Sequence, residues 1–343
     1  MKALRILGAI GRATGRKLGT FRALKINNFF LIIALVAYSA GESGIEPASA
    51  YPFLLFLFAV LLFPLSSDPL DEVPRSRLAL WPVTPRERAV LRAASLVLSP
   101  ILWFVVLLLF FHRIRPGVAS AFITLAILVQ ALSTTFRFAP QWNVRRYVPG
   151  WRGTIGMLMR SSLRQMLVSL DVYLALVLSL GAVLYRLLDA HPDPAAFPIL
   201  AILIALAVGD YAQCLFGRDL GGSAITRYRL FPLGGTAVLL AKGAACLAIT
   251  FLLTLPVQLT VGMTYAFTAL AFGHHASVIH PAPLRAWRFS GSRVYIGVIQ
   301  GIAGIVLAFG AAQRGALYLA SSVILYCLSL AIYGRVWELR RAA

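Results

Sequence analysis

The chain has 343 residues, of which 59% are hydrophobic and 13% are charged, and its mean hydropathy is +0.81. A soluble domain of this length needs far more charged surface, so the composition excludes a soluble protein and predicts a polytopic membrane protein in a lipid bilayer. The formal net charge is +20, but the basic residues lie between apolar runs instead of forming one patch, which argues against a nucleic-acid partner.

The N-terminal residues 1–26 are basic and carry apolar residues at helical spacing, which predicts an interfacial amphipathic segment. The run GRATGRKL at 11–18 lacks the spacing of a phosphate-binding loop, so we expect no ATP hydrolysis by that route and interpret the chain as a non-enzyme. Small residues at 37–39 resemble a signal-peptidase site, but multispanning proteins usually keep the first span as an anchor.

Hydropathy predicts an all-α fold of about ten spans, each near the roughly 20 residues that cross the hydrocarbon core. The predicted spans lie near 27–41, 49–65, 93–111, 117–135, 168–187, 195–216, 236–256, 258–274, 294–312 and 316–334. We divide the chain into the N-terminal segment 1–26, a first transmembrane repeat of about four spans, a basic amphipathic cytoplasmic linker, a second repeat of about six spans and a cytoplasmic tail. After the N-terminal segment, these parts are 27–135, 136–167, 168–334 and 335–343.

The distribution of basic residues predicts the topology. With a cytoplasmic N-terminus, all but four of the 32 Lys and Arg residues lie on the cytoplasmic side, which satisfies the positive-inside rule. The four exceptions are Arg113, Arg115, Arg186 and Arg314. Both termini are therefore expected to be cytoplasmic.

One stretch occurs twice, with a constant offset of 150 residues, as RLALWPVT from Arg77 and RYRLFPLG from Arg227. The identical pairs are Arg77/Arg227, Leu80/Leu230, Pro82/Pro232 and Ala94/Ala244. Each copy follows two predicted spans, faces the cytoplasm and runs into the next span. An even number of predicted spans separates the copies, so the two halves are expected to form a parallel repeat about an axis along the membrane normal.

The first copy continues as Thr84-Pro85-Arg86-Glu87, which has the spacing of a capping box with Pro at the first helical position. A helix is therefore predicted to begin at Thr84. The second copy has Gly234-Gly235 at this point, and because Gly supplies no side-chain oxygen, we expect its helix start to be less firmly fixed. A pair of ordinary interfacial loops is the alternative interpretation.

The segments LWPVTPRERAVLRA (80–93) and LFPLGGTAVLLAKG (230–243) resemble the cytoplasmic segment after the second span in permeases of the export-type (type II) ABC transporter family. The resemblance implies an all-helical permease in a bacterial inner membrane, in which two short coupling helices each contact one protomer of a separate cytoplasmic P-loop ATPase dimer. ATP and Mg would bind to that partner. The residues implied in coupling are Arg77, Pro82, Thr84, Arg86, Glu87, Arg88, Arg227, Arg229, Pro232 and Gly234.

Two features leave alternatives open. Family members commonly have six spans per coupling contact, whereas the first half here has about four, so either a homodimer or a single chain with both halves could complete the channel. Without the resemblance, an ion- or proton-coupled secondary transporter and an integral membrane lipid enzyme are further hypotheses. The enzyme is the weaker of the two, because no nucleophile and base, or pair of acids, converge in the sequence.

Ionisable residues inside predicted spans are the other candidate sites. Asp210 and Lys242 each lie about six residues from the cytoplasmic end of a span, so at about 1.5 Å per residue they share a similar depth. A structural ion pair is favoured, with a snorkelling lysine or a transport or proton-relay role as alternatives. Asp171, at the entrance to the fifth predicted span, is expected to cap that helix.

No metal or cofactor is expected in this chain itself. His274, His275 and His280 cluster near the inner end of the eighth predicted span, but they lack an H-E-x-x-H pattern or a matching cysteine, which favours interfacial histidines. The cysteines have no C-x-x-C spacing, and packing is their expected role. They are Cys214, Cys246 and Cys327.

Overall fold

The computed structural model describes a set of segments that covers most of the second half of the chain and part of the first. These are residues 6–12, 81, 84–98, 100–111, 115–132, 148–188, 191–217, 233–282, 284, 289–291 and 294–342. Within them every regular element is helical and no strand occurs, which confirms the all-α fold class. The chain divides into two compact units, Met1–Lys25 with Phe30–Gln141, and Ile26–Phe29 with Trp142–Ala343.

In the first unit, residues 6–12 are helical, in agreement with part of the predicted N-terminal segment. Three further helices are α1 (Pro85–Val97), α2 (Pro100–Phe111) and α3 (Pro116–Leu132). Helix α1 packs against α2 and α3. The predicted spans 27–41 and 49–65 lie outside the described residues.

The predicted third span, 93–111, is not one continuous helix. It is divided between the end of α1 and α2, which begins at Pro100. Proline lacks a backbone N–H and clashes with the preceding turn inside a helix, whereas it fits the first helical position. The indole nitrogen of Trp103 donates to the Val97 carbonyl at 2.9 Å, which pins the joint between the two helices.

The second unit contains seven described α-helices and one 3₁₀ segment. They are α4 (Gly153–Met166), α5 (Leu170–Leu188), α6 (Ala196–Gly209) with a 3₁₀ segment (Asp210–Cys214), α7 (Gly235–Thr254), α8 (Leu259–Ile279), α9 (Val294–Arg314) and α10 (Ala316–Ala342). Helix α4 lies in the predicted amphipathic linker and packs on α7. It buries Ser162 and Met166 and exposes Ile155 and Met157.

Five helices among the described residues are long and apolar enough to cross a membrane, namely α5, α6 with its 3₁₀ segment, α7, α9 and α10. The coarser prediction of a helical membrane protein is therefore supported, while ten spans and the parallel repeat stay predictions. The predicted tail 335–343 is not a separate element, because α10 continues as a helix to Ala342.

Helix α8 lies at the centre of the second unit, where it contacts α6, α7, α9 and α10. It has 21 residues, contains threonines, glycines and histidines, and is not among the five described helices that are long and apolar enough to cross a membrane. Thr264 and Thr268 donate back to the carbonyls of Thr260 and Thr264, so their buried hydroxyls are satisfied within the helix. A central position surrounded by protein explains why this helix tolerates more polar residues than a lipid-facing one.

Small residues allow close helix packing around one aromatic ring. Tyr265 of α8 is fully buried between Gly209 of α6 and Gly304 of α9. A Cβ added at Gly209 would lie 3.0 Å from the ring, and one added at Gly304 would lie 2.6 Å from it. Glycine at these two positions therefore lets the helices approach the ring closely, as small residues do in membrane helix interfaces.

Contacts between helix ends define two opposite ends of the second unit. At one end, Asp171 in the first turn of α5 binds Ser290, just before α9. At the other end, Arg186 in the last turn of α5 binds the carbonyl of Pro256, between α7 and α8. Helices α5 to α10 thus run alternately in opposite directions.

Candidate functional site

The first predicted coupling element begins with a complete capping box. The backbone N–H of Thr84 donates to Glu87 Oε2 at 2.9 Å, and the backbone N–H of Glu87 donates to Thr84 Oγ1 at 3.3 Å. This reciprocal pair satisfies two donors at the start of α1 and confirms the local prediction. Arg86 is exposed in the first turn, and Arg88 lies in the same helix. Arg77 and Pro82 lie outside the described residues.

The second predicted element begins at Gly234, which has the extended backbone of an N-cap residue, with φ −64° and ψ 153°. We expected this start to be less firmly fixed than that of α1, because Gly supplies no side-chain oxygen, and that comparison stays a prediction. Glu338 of α10 supplies the missing acceptor, because its Oε1 receives the backbone N–H of Gly235 at 2.6 Å. Arg227, Arg229 and Pro232 lie outside the described residues.

The start of α7 and the end of α10 also meet backbone to backbone. A Cβ added at Gly235 would lie 2.2 Å from the carbonyl oxygen of Gly334, and one added at Gly334 would lie 2.4 Å from Thr236 Cγ2. These distances leave no room for a side chain at either glycine. The two helices therefore cross at a fixed point, one turn away from the Glu338 hydrogen bond.

The same end of α10 binds the end of α8. Arg340 donates from Nη1 to the carbonyls of Val278 at 3.1 Å and Ile279 at 3.2 Å. These carbonyls belong to the last turn of α8, where a helix leaves its carbonyls without partners and carries partial negative charge. A cation at a helix C-terminus and an anion at a helix N-terminus are both favourable, by about 0.3–1 kcal/mol each at exposed sites.

The buried Lys242 lies beside this junction. Its Nζ donates to the Leu215 carbonyl at 2.7 Å and lies 4.8 Å from the centroid of the Phe216 ring. Phe216 in turn stacks on Trp337 of α10, with centroids 6.1 Å apart and planes at 15°. A carbonyl dipole and an aromatic face thus stabilise the ammonium group in a desolvated place.

Asp210, the predicted partner of Lys242, begins the 3₁₀ segment that ends just before Leu215. Both ionisable side chains are 1% exposed, so both are buried within the second unit. The hydrogen bond that fixes the ammonium group is to the Leu215 carbonyl, and the ion pair between Lys242 and Asp210 stays a prediction.

No family model, curated protein or solved structure matches this chain. The site is therefore interpreted from its own geometry. We name the C-terminal part of α10, with Trp337, Glu338 and Arg340, the C-terminal junction.

The histidines join α8 to α10 further along the same interface. His274 is fully buried, and its Nδ1 lies 3.1 Å from Ser329 Oγ, which donates to the Ala271 carbonyl. His275 Nδ1 lies 2.9 Å from the Tyr333 hydroxyl. These two residues join α8 to α10, while their position at the membrane interface stays a prediction.

Three features of this end were missed in the sequence. The first two are Glu338 and Arg340. The third is a buried glutamine pair, in which Gln213 Nε2 donates to Gln300 Oε1 and Gln300 Nε2 donates to the Gly209 carbonyl, both at 2.9 Å. For Glu338 a signal existed, because it is the only acidic residue in the sequence after Asp219 and stands among arginines. The glutamine pair carries no such signal, since its members are 87 residues apart.

Proposed function

We propose that this chain is the membrane-spanning permease subunit of an ATP-driven ABC exporter, which couples a separate cytoplasmic ATPase dimer to substrate movement. The proposal rests on the family resemblance of the segments 80–93 and 230–243 and on the helices that these segments begin. The chain would contribute the transmembrane path, and the partner would bind ATP and Mg. Both termini and both elements would face the cytoplasm of a bacterial cell.

The observation that supports the proposal most is the register of two helix starts. Helix α1 begins at Pro85 and α7 begins at Gly235, which are equivalent positions in the 150-residue offset. Each helix follows the same Pro-containing stretch. At each start one backbone N–H donates to a glutamate, that of Thr84 to Glu87 and that of Gly235 to Glu338. If the ATPase moves, a rigid helix start held in its groove would transmit that movement to the membrane-spanning helices.

Charge gives the first element a contact surface. Arg86 is exposed in the first turn of α1, while Glu87 beside it is engaged in the capping box. An exposed arginine suits an acidic groove on the ATPase, since a guanidinium binds carboxylates bidentately. The second element has its own arginines at Arg227 and Arg229, just before the described residues of α7.

The test is affinity purification of the chain from its native cell in a mild detergent, followed by mass spectrometry and stoichiometry of the bound proteins. A P-loop ATPase at two copies per chain is the expected result for one chain with both coupling elements. Two ATPases per two chains would retain the exporter and make the complex a homodimer. No ATPase, even after crosslinking in the cell, would overturn the proposal.

A second candidate is an ion- or proton-coupled transporter, and the observation that favours it is the burial of Asp210 and Lys242 within the helical unit. Ionisable residues at such depth commonly mark ion pathways. Transport that persists without ATP while the ion gradient is maintained would favour this candidate over the exporter. Transport that stops on ATP depletion alone would exclude it.

A further inference from the structure

We propose that the C-terminal junction is a clamp, which holds the first turn of α7 and the last turn of α8 as one mechanical unit. Glu338 and Arg340 are its positioning residues. The inference is independent of any partner, because every contact that carries it lies within the second unit. Only its consequence for coupling rests on the proposed exporter function.

The direction of the side chains around α10 explains how one turn can hold several elements. Successive residues of a helix are rotated by about 100°, and residues two apart do not face the same side. Glu338 reaches the start of α7, and Arg340 reaches the end of α8. Trp337 faces a third direction and stacks on Phe216, which follows the 3₁₀ segment after α6. The C-terminal junction therefore contacts three neighbouring elements at once.

The charges of the clamp match the helix ends that they bind. Glu338 meets the positive N-terminal end of α7, and Arg340 meets the negative C-terminal end of α8. Exchanging the two charges would place each one against a helix end of its own sign. The positions of the two charges along α10 therefore match the directions of the neighbouring helices, since α7 begins and α8 ends at this side of the bundle.

The backbone contact makes the clamp rigid. Gly235 and Gly334 approach so closely that α7 cannot slide along α10 without a collision between Thr236 and the α10 backbone. A hydrogen bond alone would allow such sliding, because an exposed glutamate can follow its partner. Because the charged cap and the glycine crossing act together, α7 and α10 can move only as one unit.

The consequence is an asymmetry between the two proposed coupling elements. Helix α1 is capped by residues of its own first turn, Thr84 and Glu87, so its start is fixed locally. Helix α7 is capped by α10, which is also bound to α8 at the centre of the unit. Movement at the second element is thereby transmitted directly to the central helix α8. The cap of the first element, in contrast, forms or breaks without involving another helix.

The experiment is hydrogen–deuterium exchange of the full-length chain in detergent or lipid discs, read on peptides covering 235–241 and 276–280. In Glu338→Ala, amides at the start of α7 are expected to exchange about fivefold faster, the effect of removing one helix cap. Arg340→Ala is the decisive variant, because Arg340 binds α8 alone among these helices. We expect it to increase exchange about twofold or more at 235–241 as well as at 276–280.

The matched control is Arg335→Ala, since Arg335 is an exposed arginine of α10 with no hydrogen bond to α7 or α8 among the described residues. The double variant Gly234→Ser with Glu338→Ala restores a local cap to α7 without the clamp. We expect it to return 235–241 to slow exchange. We expect 276–280 to exchange faster than in the unmodified chain in both Glu338→Ala and the double variant, because α10 has lost its hydrogen bond to α7.

Two results would overturn the clamp. One is exchange at 235–241 in Arg340→Ala that equals that of Arg335→Ala, since the two caps would then be independent. The other is slow exchange at 276–280 in the locally recapped double variant. Because no ATPase takes part in the measurement, the clamp and the proposed exporter function can each fail alone.

Discussion

Asp171 and Ser290 lie 119 residues apart in the sequence and are joined by their backbone and side-chain groups at one end of the second unit. The Asp171 carboxylate receives the backbone N–H of Ser290 at 2.9 Å, together with the hydroxyls of Ser290 and Ser169. It also lies in the first turn of α5, where an acid complements the helix dipole. One buried carboxylate thus ties the start of α5 to the segment before α9.

Removing this carboxylate is expected to destabilise the protein. In Asp171→Ala the buried donors of Ser290 lose their acceptor, and we expect a loss of about 2–3 kcal/mol in the free energy of unfolding. Asp171→Asn keeps one oxygen and is expected to lose about half as much. The measurement is unfolding in detergent, with the exposed Asp193→Ala as control. An equal effect of the two alanine variants would contradict this role for Asp171.

At the opposite end, Arg186 is expected to stabilise the turn between α7 and α8. Its guanidinium donates to the carbonyls of Pro256 at 2.7 Å and Val257 at 3.3 Å, and lies 4.3 Å from the Phe197 centroid. Lysine cannot donate to both carbonyls in this geometry, so Arg186→Lys is expected to lower the free energy of unfolding. The expected loss is only about 1 kcal/mol, because the site is exposed to solvent. The control is Arg314→Lys at another exposed arginine, where no change is expected.

Two glycine substitutions are expected to have opposite effects. Gly235→Ala places a Cβ 2.2 Å from the Gly334 carbonyl oxygen and is expected to destabilise the protein by about 3 kcal/mol. Gly181, inside α5, has nothing within 4 Å of an added Cβ. Gly181→Ala is therefore expected to stabilise by about 0.5–1 kcal/mol, through helix propensity alone. Both are measured by thermal unfolding, and equal shifts in the two variants would contradict the glycine crossing.

The sequence allowed correct predictions where the cause is local or compositional. Thr84 and Glu87 are three residues apart, so the capping box of α1 depends on no other part of the chain. The long apolar runs of the second half predicted α5, α6 with its 3₁₀ segment, α7 and α9 to within a few residues, because each run must be long enough to cross lipid. For α10 they predicted the start, but the helix continues past the predicted end at 334 to Ala342.

Long-range contacts could not be predicted in the same way. The cap of α7 comes from Glu338, 103 residues later, and the Gly235 sequence pattern alone predicts a weak start. The burial of His274 depends on Ser329 of another helix, whereas the sequence showed only a polar cluster near a span end. In the first unit, Pro100 was placed inside a predicted span, since average hydropathy over a window is insensitive to a single helix-breaking residue.

Charge reversal at α1 tests the coupling surface of the proposed exporter. Arg86 is exposed in the first turn of α1, so Arg86→Glu is expected to leave the fold intact, because an acid near a helix N-terminus is favourable. If Arg86 meets an acidic groove, the variant is expected to reduce the co-purified ATPase about tenfold or more, and Arg88→Glu in the same helix is expected to act in the same direction.

The matched control for these variants is Arg314→Glu, an exposed reversal that the predicted topology places on the opposite face of the membrane. It is expected to retain full ATPase binding, although an acid in the last turn of α9 lowers the unfolding temperature slightly. Raising the salt concentration is expected to weaken the unmodified complex more than the Arg86→Glu complex, because screening acts on the charge pair that the variant has already removed. Normal ATPase recovery and normal transport coupling in both α1 variants would place the contact elsewhere on the chain.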